Sequence, residues 1–88
     1  MPSVSISLPA TLTSPEPATT VQCEGATIAE ALRDLAERTP RYGRRIFYDG
    51  RLLVSVVLNG GHISPVVAQD TALSDGDQLE LVTPVAGG

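Results

Sequence analysis

The 88-residue chain has no lysine, no tryptophan, one cysteine, one histidine and only three aromatic residues, Tyr42, Phe47 and Tyr48. One cysteine excludes an intramolecular disulfide framework and, without companion ligands, a cysteine-based zinc site. Basic charge is scarce, with six Lys+Arg against ten Asp+Glu and a net charge of −4. That balance argues against a nucleic-acid partner, which calls for a basic stripe. No apolar run approaches the roughly 18–20 residues of a membrane span. Met1-Pro2-Ser3 lacks the basic and apolar regions of a signal peptide, so the expectation is a cytoplasmic protein with no membrane partner. A chain of this length makes one small domain with little room for a deep substrate cavity, which counts against an enzyme acting alone.

What is present is clear periodicity. Val4, Ile6 and Leu8 alternate with Ser3, Ser5 and Ser7, the pattern of a half-buried strand. Pro9 ends it, and the stretch to Pro17 reads as a loop. Thr19, Val21 and Cys23 then alternate with Thr20, Gln22 and Glu24, which predicts an antiparallel hairpin at the amino terminus. Thr27-Ile28-Ala29-Glu30 has the form of a capping box, in which Thr27 accepts from the Glu30 amide and Glu30 reaches back to Thr27. Ile28, Ala31, Leu32 and Leu35 share one face of the helix it opens, Asp34 and Arg38 are spaced to pair, and Pro40 stops it near Thr39. Leu53 to Leu58 suits a strand, Asn59-Gly60-Gly61 a tight turn, and His62 to Ser64 a short returning strand. Leu73 to Asp77 forms a second turn before a last strand from Gln78 to Thr83. The order β-β-α-β-(β)-β predicts an α+β domain over residues 1–84, with 85–88 as a tail.

That tail, Val85-Ala86-Gly87-Gly88, reads either as a frayed end or as a working arm. Four extended residues span about 13–14 Å, enough to carry a carboxylate into a cleft on another protein. Two glycines let the backbone pass a constriction that a Cβ would block. The terminal carboxylate is ionised at neutral pH and can attack the α-phosphorus of ATP.

The run Leu73-Ser74-Asp75-Gly76-Asp77-Gln78-Leu79, followed by Pro84-Val85-Ala86-Gly87-Gly88, resembles the carboxy-terminal third of the ubiquitin-like sulfur carriers. These include the small subunit of molybdopterin synthase, the thiamin-thiazole carrier and the cysteine-pathway carrier. Val56-Val57-Leu58-Asn59-Gly60 and Val4 to Pro9 fit the same layout. The resemblance implies a β-grasp, a mixed sheet with one main helix across one face. It implies that an E1-like enzyme adenylates Gly88, using ATP, and that a sulfur donor converts it to a thiocarboxylate. Sulfur then passes to an accepting enzyme that builds cysteine, molybdopterin, thiamin or a sulfur-containing secondary metabolite. Pro84, Val85, Ala86 and Gly87 become the partner-binding part of the tail. The chain would be a monomer when free, a carrier with no catalytic residue, bound metal or cofactor of its own. Thr83 departs from molybdopterin-type members that carry a second proline there. The alternative is a ubiquitin-like modifier forming isopeptide bonds to target lysines; lacking lysine, the chain offers no such acceptor to its own copies.

Other polar residues have plainer readings. Cys23 has no basic neighbour to lower its pKa and sits on the apolar side of its strand, as a core residue does. His62 has no companion at ligand spacing and reads as a hairpin-flanking residue. Asp70, Asp75, Asp77 and Glu80 lack the spacing of a calcium loop and read as turn residues. The arginines from Arg33 to Arg51 form either a solvated face or a surface for an anionic partner. One helix shields one sheet face, so Val82 and one alternating set from Leu53 to Leu58 are candidates for an apolar docking patch.

Overall fold

A computed structural model describes residues 1–49 and 51–83, with backbone alone for Pro65 and Val66. The amino-terminal alternation forms β1 (Ser3–Leu8), with Val4, Ile6 and Leu8 buried. It pairs antiparallel with β2 (Thr19–Glu24), Val4 opposite Cys23 and Ile6 opposite Val21, as the period-2 pattern predicts. Between them lies a difference from the expected loop. Ala10–Thr13 closes into one helical turn, α1, because Leu12 and Thr13 are drawn fully into the interior.

The main helix, α2 (Ile28–Arg38), begins on Thr27, whose hydroxyl accepts from the Glu30 amide at 3.2 Å. The reciprocal bond differs from expectation, since Glu30 Oε1 accepts from the Ala26 amide, one residue further out. Ile28, Ala31, Leu32 and Leu35 are fully buried against the sheet. Each large aliphatic side chain so buried stabilises the fold by about 1.5–3 kcal/mol. Asp34 and Arg38 pair at 3.2 Å. Gly25 is needed where β2 turns into this helix, because a Cβ there would lie 2.4 Å from the Ala31 amide nitrogen.

Pro40 ends one helix and opens another, α3 (Pro40–Ile46), where its missing N–H costs nothing. A small hairpin comes next, β3 (Phe47–Tyr48) with β4 (Arg51–Leu52). Of the expected Asp49-Gly50 turn, Asp49 adopts φ 52° and Gly50 lies outside the described residues. β5 (Ser55–Leu58) and β6 (Gly61–Ile63) form a hairpin through Asn59 (φ 49°) and Gly60 (φ 87°). Positive φ at both central residues is the turn that matches strand twist. A short helix, α4 (Pro65–Ala68), precedes the turn into β7 (Gln78–Val82).

The five-stranded sheet has the order β2-β1-β7-β5-β6. Only the central β1–β7 pair is parallel; the other pairs are antiparallel. This is the mixed sheet of the β-grasp, an α+β fold with helices on one face. Among the described residues no helix is long and apolar enough to cross a membrane.

Candidate functional site at the root of the tail

Pro84, Val85, Ala86, Gly87 and Gly88, the residues on which the reading of the tail rests, lie outside the described residues. What is described is the platform from which they leave. β7 is the middle strand; Gln78, Leu79 and Glu80 pair with β1, and its last residues pair with β5. Val82 lies opposite Ser55 of β5, and Leu81 and Leu79 are buried beneath. On the β1 side, Thr83 Oγ1 lies 2.7 Å from Thr11 Oγ1 of α1.

That single turn of helix is braced in turn. Arg45 of α3 donates from Nη1 to the carbonyls of Leu12 (2.7 Å) and Ser14 (2.9 Å). The buried Thr13 hydroxyl lies within reach of the carbonyls of Pro9, Glu16 and Pro17. Arg41 pairs with Glu16 and stands over the ring of Tyr42. The root of the tail is therefore clamped as far as Thr83. Neither Thr11 nor Arg45 carries a local sequence signal, because their partners lie tens of residues away.

The structure separates the arginines instead of gathering them. Arg38 bonds to Asp34 and to the Gln22 carbonyl, Arg41 to Glu16, and Arg45 to backbone carbonyls. Arg33 stands apart on α2, beside Met1, Glu24, Glu30, Asp34 and Glu37 around a shallow cleft of about 290 Å³. Arg44 of α3 and Arg51 of β4 are exposed and without a hydrogen-bonded or ion-paired partner among the described residues.

The sheet register also decides which alternating set faces away from the helices. Ser55 and Val57 share the open face with Val82 and Glu80, while Val54 and Val56 are buried. The β1–β2 part of that face is polar, with Gln22 Nε2 donating to Ser5 Oγ at 2.6 Å and the Ser7 and Thr20 hydroxyls 3.4 Å apart. The apolar portion is thus confined to Val57 and Val82, on the tail side.

Cys23 is fully buried, and its thiol pKa is pushed up to about 11, first by burial, then by Asp34, against a smaller lowering by Arg38. Such a thiol stays protonated at neutral pH and is a poor nucleophile. His62 is exposed on β6. Asp75 and Asp77 serve turns: Asp75 Oδ1 accepts from the Ser3 amide, and Asp77 accepts from the Ser74 amide and from Asn59 Nδ2. These bonds hold the Asp77 carboxyl below the usual carboxylate range, the Ser74 amide being the larger cause. No group of three His, Cys, Asp or Glu among the described residues could hold a metal ion.

Comparison with known proteins points the same way. The model of the ThiS family matches residues 7–88. The small archaeal modifier protein 3 of Haloferax volcanii is 34% identical over 67 residues, covering 74% of this chain and 73% of that protein. The crystal structure of small archaeal modifier protein 1 from the same organism superposes with a TM-score of 0.75 at 32% identity, covering 98% of this chain and 99% of the other. A chain in the Amycolatopsis orientalis BexX/CysO complex superposes with a TM-score of 0.76 at 28% identity, over 97% and 99% of the two chains.

Proposed function

The chain belongs to the ThiS family, a group of ubiquitin-like carriers and modifiers, and on that premise we propose that it carries sulfur on the carboxylate of Gly88. The carboxylate attacks the α-phosphorus of ATP held by an E1-like enzyme, pyrophosphate leaves, and an acyl-adenylate forms. Hydrosulfide supplied by the donor then attacks the glycyl carbonyl, losing its proton, and AMP departs with the carboxylate oxygen it had gained. The resulting thiocarboxylate delivers its sulfur to an accepting enzyme that builds cysteine, molybdopterin, thiamin or another sulfur-containing product.

The chain supplies only the reacting carboxylate and the surface that presents it. ATP and the acid–base groups come from the partner, so the carrier is a co-substrate, not an enzyme, and works in the cytoplasm where ATP is made available. The observation that supports this reading is the run Pro84-Val85-Ala86-Gly87-Gly88, which follows the central strand β7 in the sequence and lies within the match to the ThiS family model. Without a side chain, Gly88 leaves its carbonyl open to attack.

The test is ATP–pyrophosphate exchange by the adenylating enzyme from the same genome. Exchange should require the intact chain and vanish when Gly87 and Gly88 are removed. Exchange that survives the truncation refutes activation at Gly88.

A second reading, protein modification, is favoured by the likeness to small archaeal modifier proteins 1 and 3. Activation is shared, and the outcomes differ: isopeptide adducts that survive a denaturing gel mark the modifier. Because the sequence holds no lysine, no side-chain amine of a second copy within these residues can accept the glycyl group in an isopeptide bond.

A further inference from the structure

The end strands of an open sheet present backbone N–H and C=O groups that can take up a further strand. In the order β2-β1-β7-β5-β6 those strands are β2 and β6. β6 (Gly61–Ile63) is three residues long, with Pro65 soon after it, and offers little to pair with. β2 (Thr19–Glu24) is six residues long, rich in Thr and Val, and holds neither proline nor glycine. It is the edge that needs a guard.

The register identifies the outward groups. The Gly25 amide bonds inward to the Pro2 carbonyl at 3.0 Å, and bonding direction alternates along an antiparallel strand. Thr20, Gln22 and Glu24 therefore turn their N–H and C=O groups away from β1. Two of these groups are taken by side chains of α2. Asp34 Oδ2 accepts from the Glu24 amide at 2.9 Å, and Arg38 Nη1 donates to the Gln22 carbonyl at 3.1 Å. The two side chains also hold each other, with Arg38 Nε 3.3 Å from Asp34 Oδ1 and Nη2 3.2 Å from Oδ2. A pair spaced to support its own helix thus lies across the strand edge as a strap. Among the described residues the Thr20 and Gln22 amides have no hydrogen-bond partner.

The same outward groups define a strand that fits them. A second copy of β2, laid antiparallel about a two-fold axis at Gln22, sets Gln22 against Gln22 and Thr20 against Glu24. Gln22 amides would then donate to Gln22 carbonyls, Glu24 amides to Thr20 carbonyls, and Thr20 amides to Glu24 carbonyls. Glu24 faces a threonine in that pairing, so no like charges stand directly opposite. The strap occupies the acceptor of the first exchange and the donor of the second, and leaves only the third.

We propose that Asp34 and Arg38 form a strap that bars β2 from pairing with the β2 of a second copy, and that this contact keeps the chain monomeric. To pair, each copy must first give up charge-assisted bonds that it already makes. The proposal is independent of what Gly88 carries.

Sedimentation equilibrium of the full chain, with amide hydrogen exchange beside it, tests the strap. The unaltered chain should be a monomer whose Thr20 and Gln22 amides exchange freely. Asp34→Ala with Arg38→Ala leaves the net charge at −4. It should tighten self-association about a hundredfold, because each copy no longer has two strap bonds to break. In the resulting dimer the Thr20 and Gln22 amides should become protected. Arg38→Ala alone, which frees the Gln22 carbonyl, should give about a tenfold tightening and repeats the test if the double variant melts too low to measure. Folded variants that stay monomeric overturn the strap. So does self-association that leaves those two amides unprotected, or an unaltered chain that already pairs through β2.

Discussion

The two ends of the sheet are built on different principles. At the far end, away from Thr83, the turns are closed by polar contacts with one another and with Ser3. Asn59 accepts from the Gln78 amide and donates to Asp77, Gly76 donates to the Ser3 carbonyl, and Asp75 accepts from the Ser3 amide. On α3 and the β3–β4 hairpin Arg44 and Arg51 stay unpaired among the described residues, and Tyr48, Leu53 and Val82 stay open to solvent, as do Met1 and Val67 elsewhere. Both ends turn polar groups on the fold, the far end through its turns and the tail end through the contacts of α1.

Substitutions at the two ends should therefore fail in different ways. The largest loss of stability is expected at the far end, from Gly25→Ala. Its Cβ would meet backbone atoms of Glu30 and Ala31 inside 3 Å, and the strand must shift to admit it. A cost of about 3 kcal/mol is expected, read as a fall in melting temperature with unaltered pyrophosphate exchange for the fraction that remains folded. Loss of exchange in folded protein would break the comparison.

Arg45→Ala comes next, at the other end. Two charge-assisted bonds to the carbonyls of Leu12 and Ser14 are lost, for about 1.5–3 kcal/mol. Here the melt and the exchange assay should both move, because α1 holds Thr83 at the base of the tail. A variant that melts lower yet is activated at the normal KM would show that the clamp serves stability alone.

Asp77 gives a smaller, pH-dependent effect at the far end. Its carboxyl titrates lower in the folded chain than its ordinary 3.8, so the unfolded chain binds that proton first. The stabilisation is present above the unfolded value and is lost as pH falls through the folded one. Asp77→Asn should lower the melting temperature at neutral pH and flatten its decline on acidification below about pH 4. A variant whose acid limb matches that of the unaltered chain would contradict the assignment.

The smallest effect is expected from Cys23→Ala. Its thiol is buried and kept protonated, so sulfur loading at Gly88 should be unchanged in folded protein. Lost loading would bring Cys23 into the chemistry and end the claim that only the tail reacts.

The same contrast explains which parts were legible in the sequence. β1, β2, β7 and the face of α2 were written in local periodicity, and Thr27, Asn59 and Gly60 in local turn chemistry, so each was readable within a few residues. Which alternating set lies on the open face emerged once register was known: Ser55 and Val57 could be assigned only through their opposites, Val82 and Glu80. The turn at Ala10–Thr13 escaped because Pro9 and Pro15 suggest a loop, while the burial of Leu12 that makes it a helix depends on distant residues. The clamp on Thr83 escaped for the same reason. Arg45 reaches back 31 and 33 residues to its acceptors, and Thr11 and Thr83 meet across 72. Local patterns encode the strands and turns, while the contacts that join distant segments, Ser3 to Asp75 at one end and Thr11 to Thr83 at the other, are assembled only by the folded chain.

The central claim is that sulfur is carried on the carboxylate of Gly88, and the intact mass of the chain tests it most directly. After incubation with the adenylating enzyme, ATP and a sulfur donor, the mass should rise by the exchange of one oxygen for one sulfur. Fragmentation should place that change on Gly88, and a chain truncated after Ala86 should show none. An unchanged mass under conditions that support pyrophosphate exchange, or sulfur found on Cys23, would contradict it.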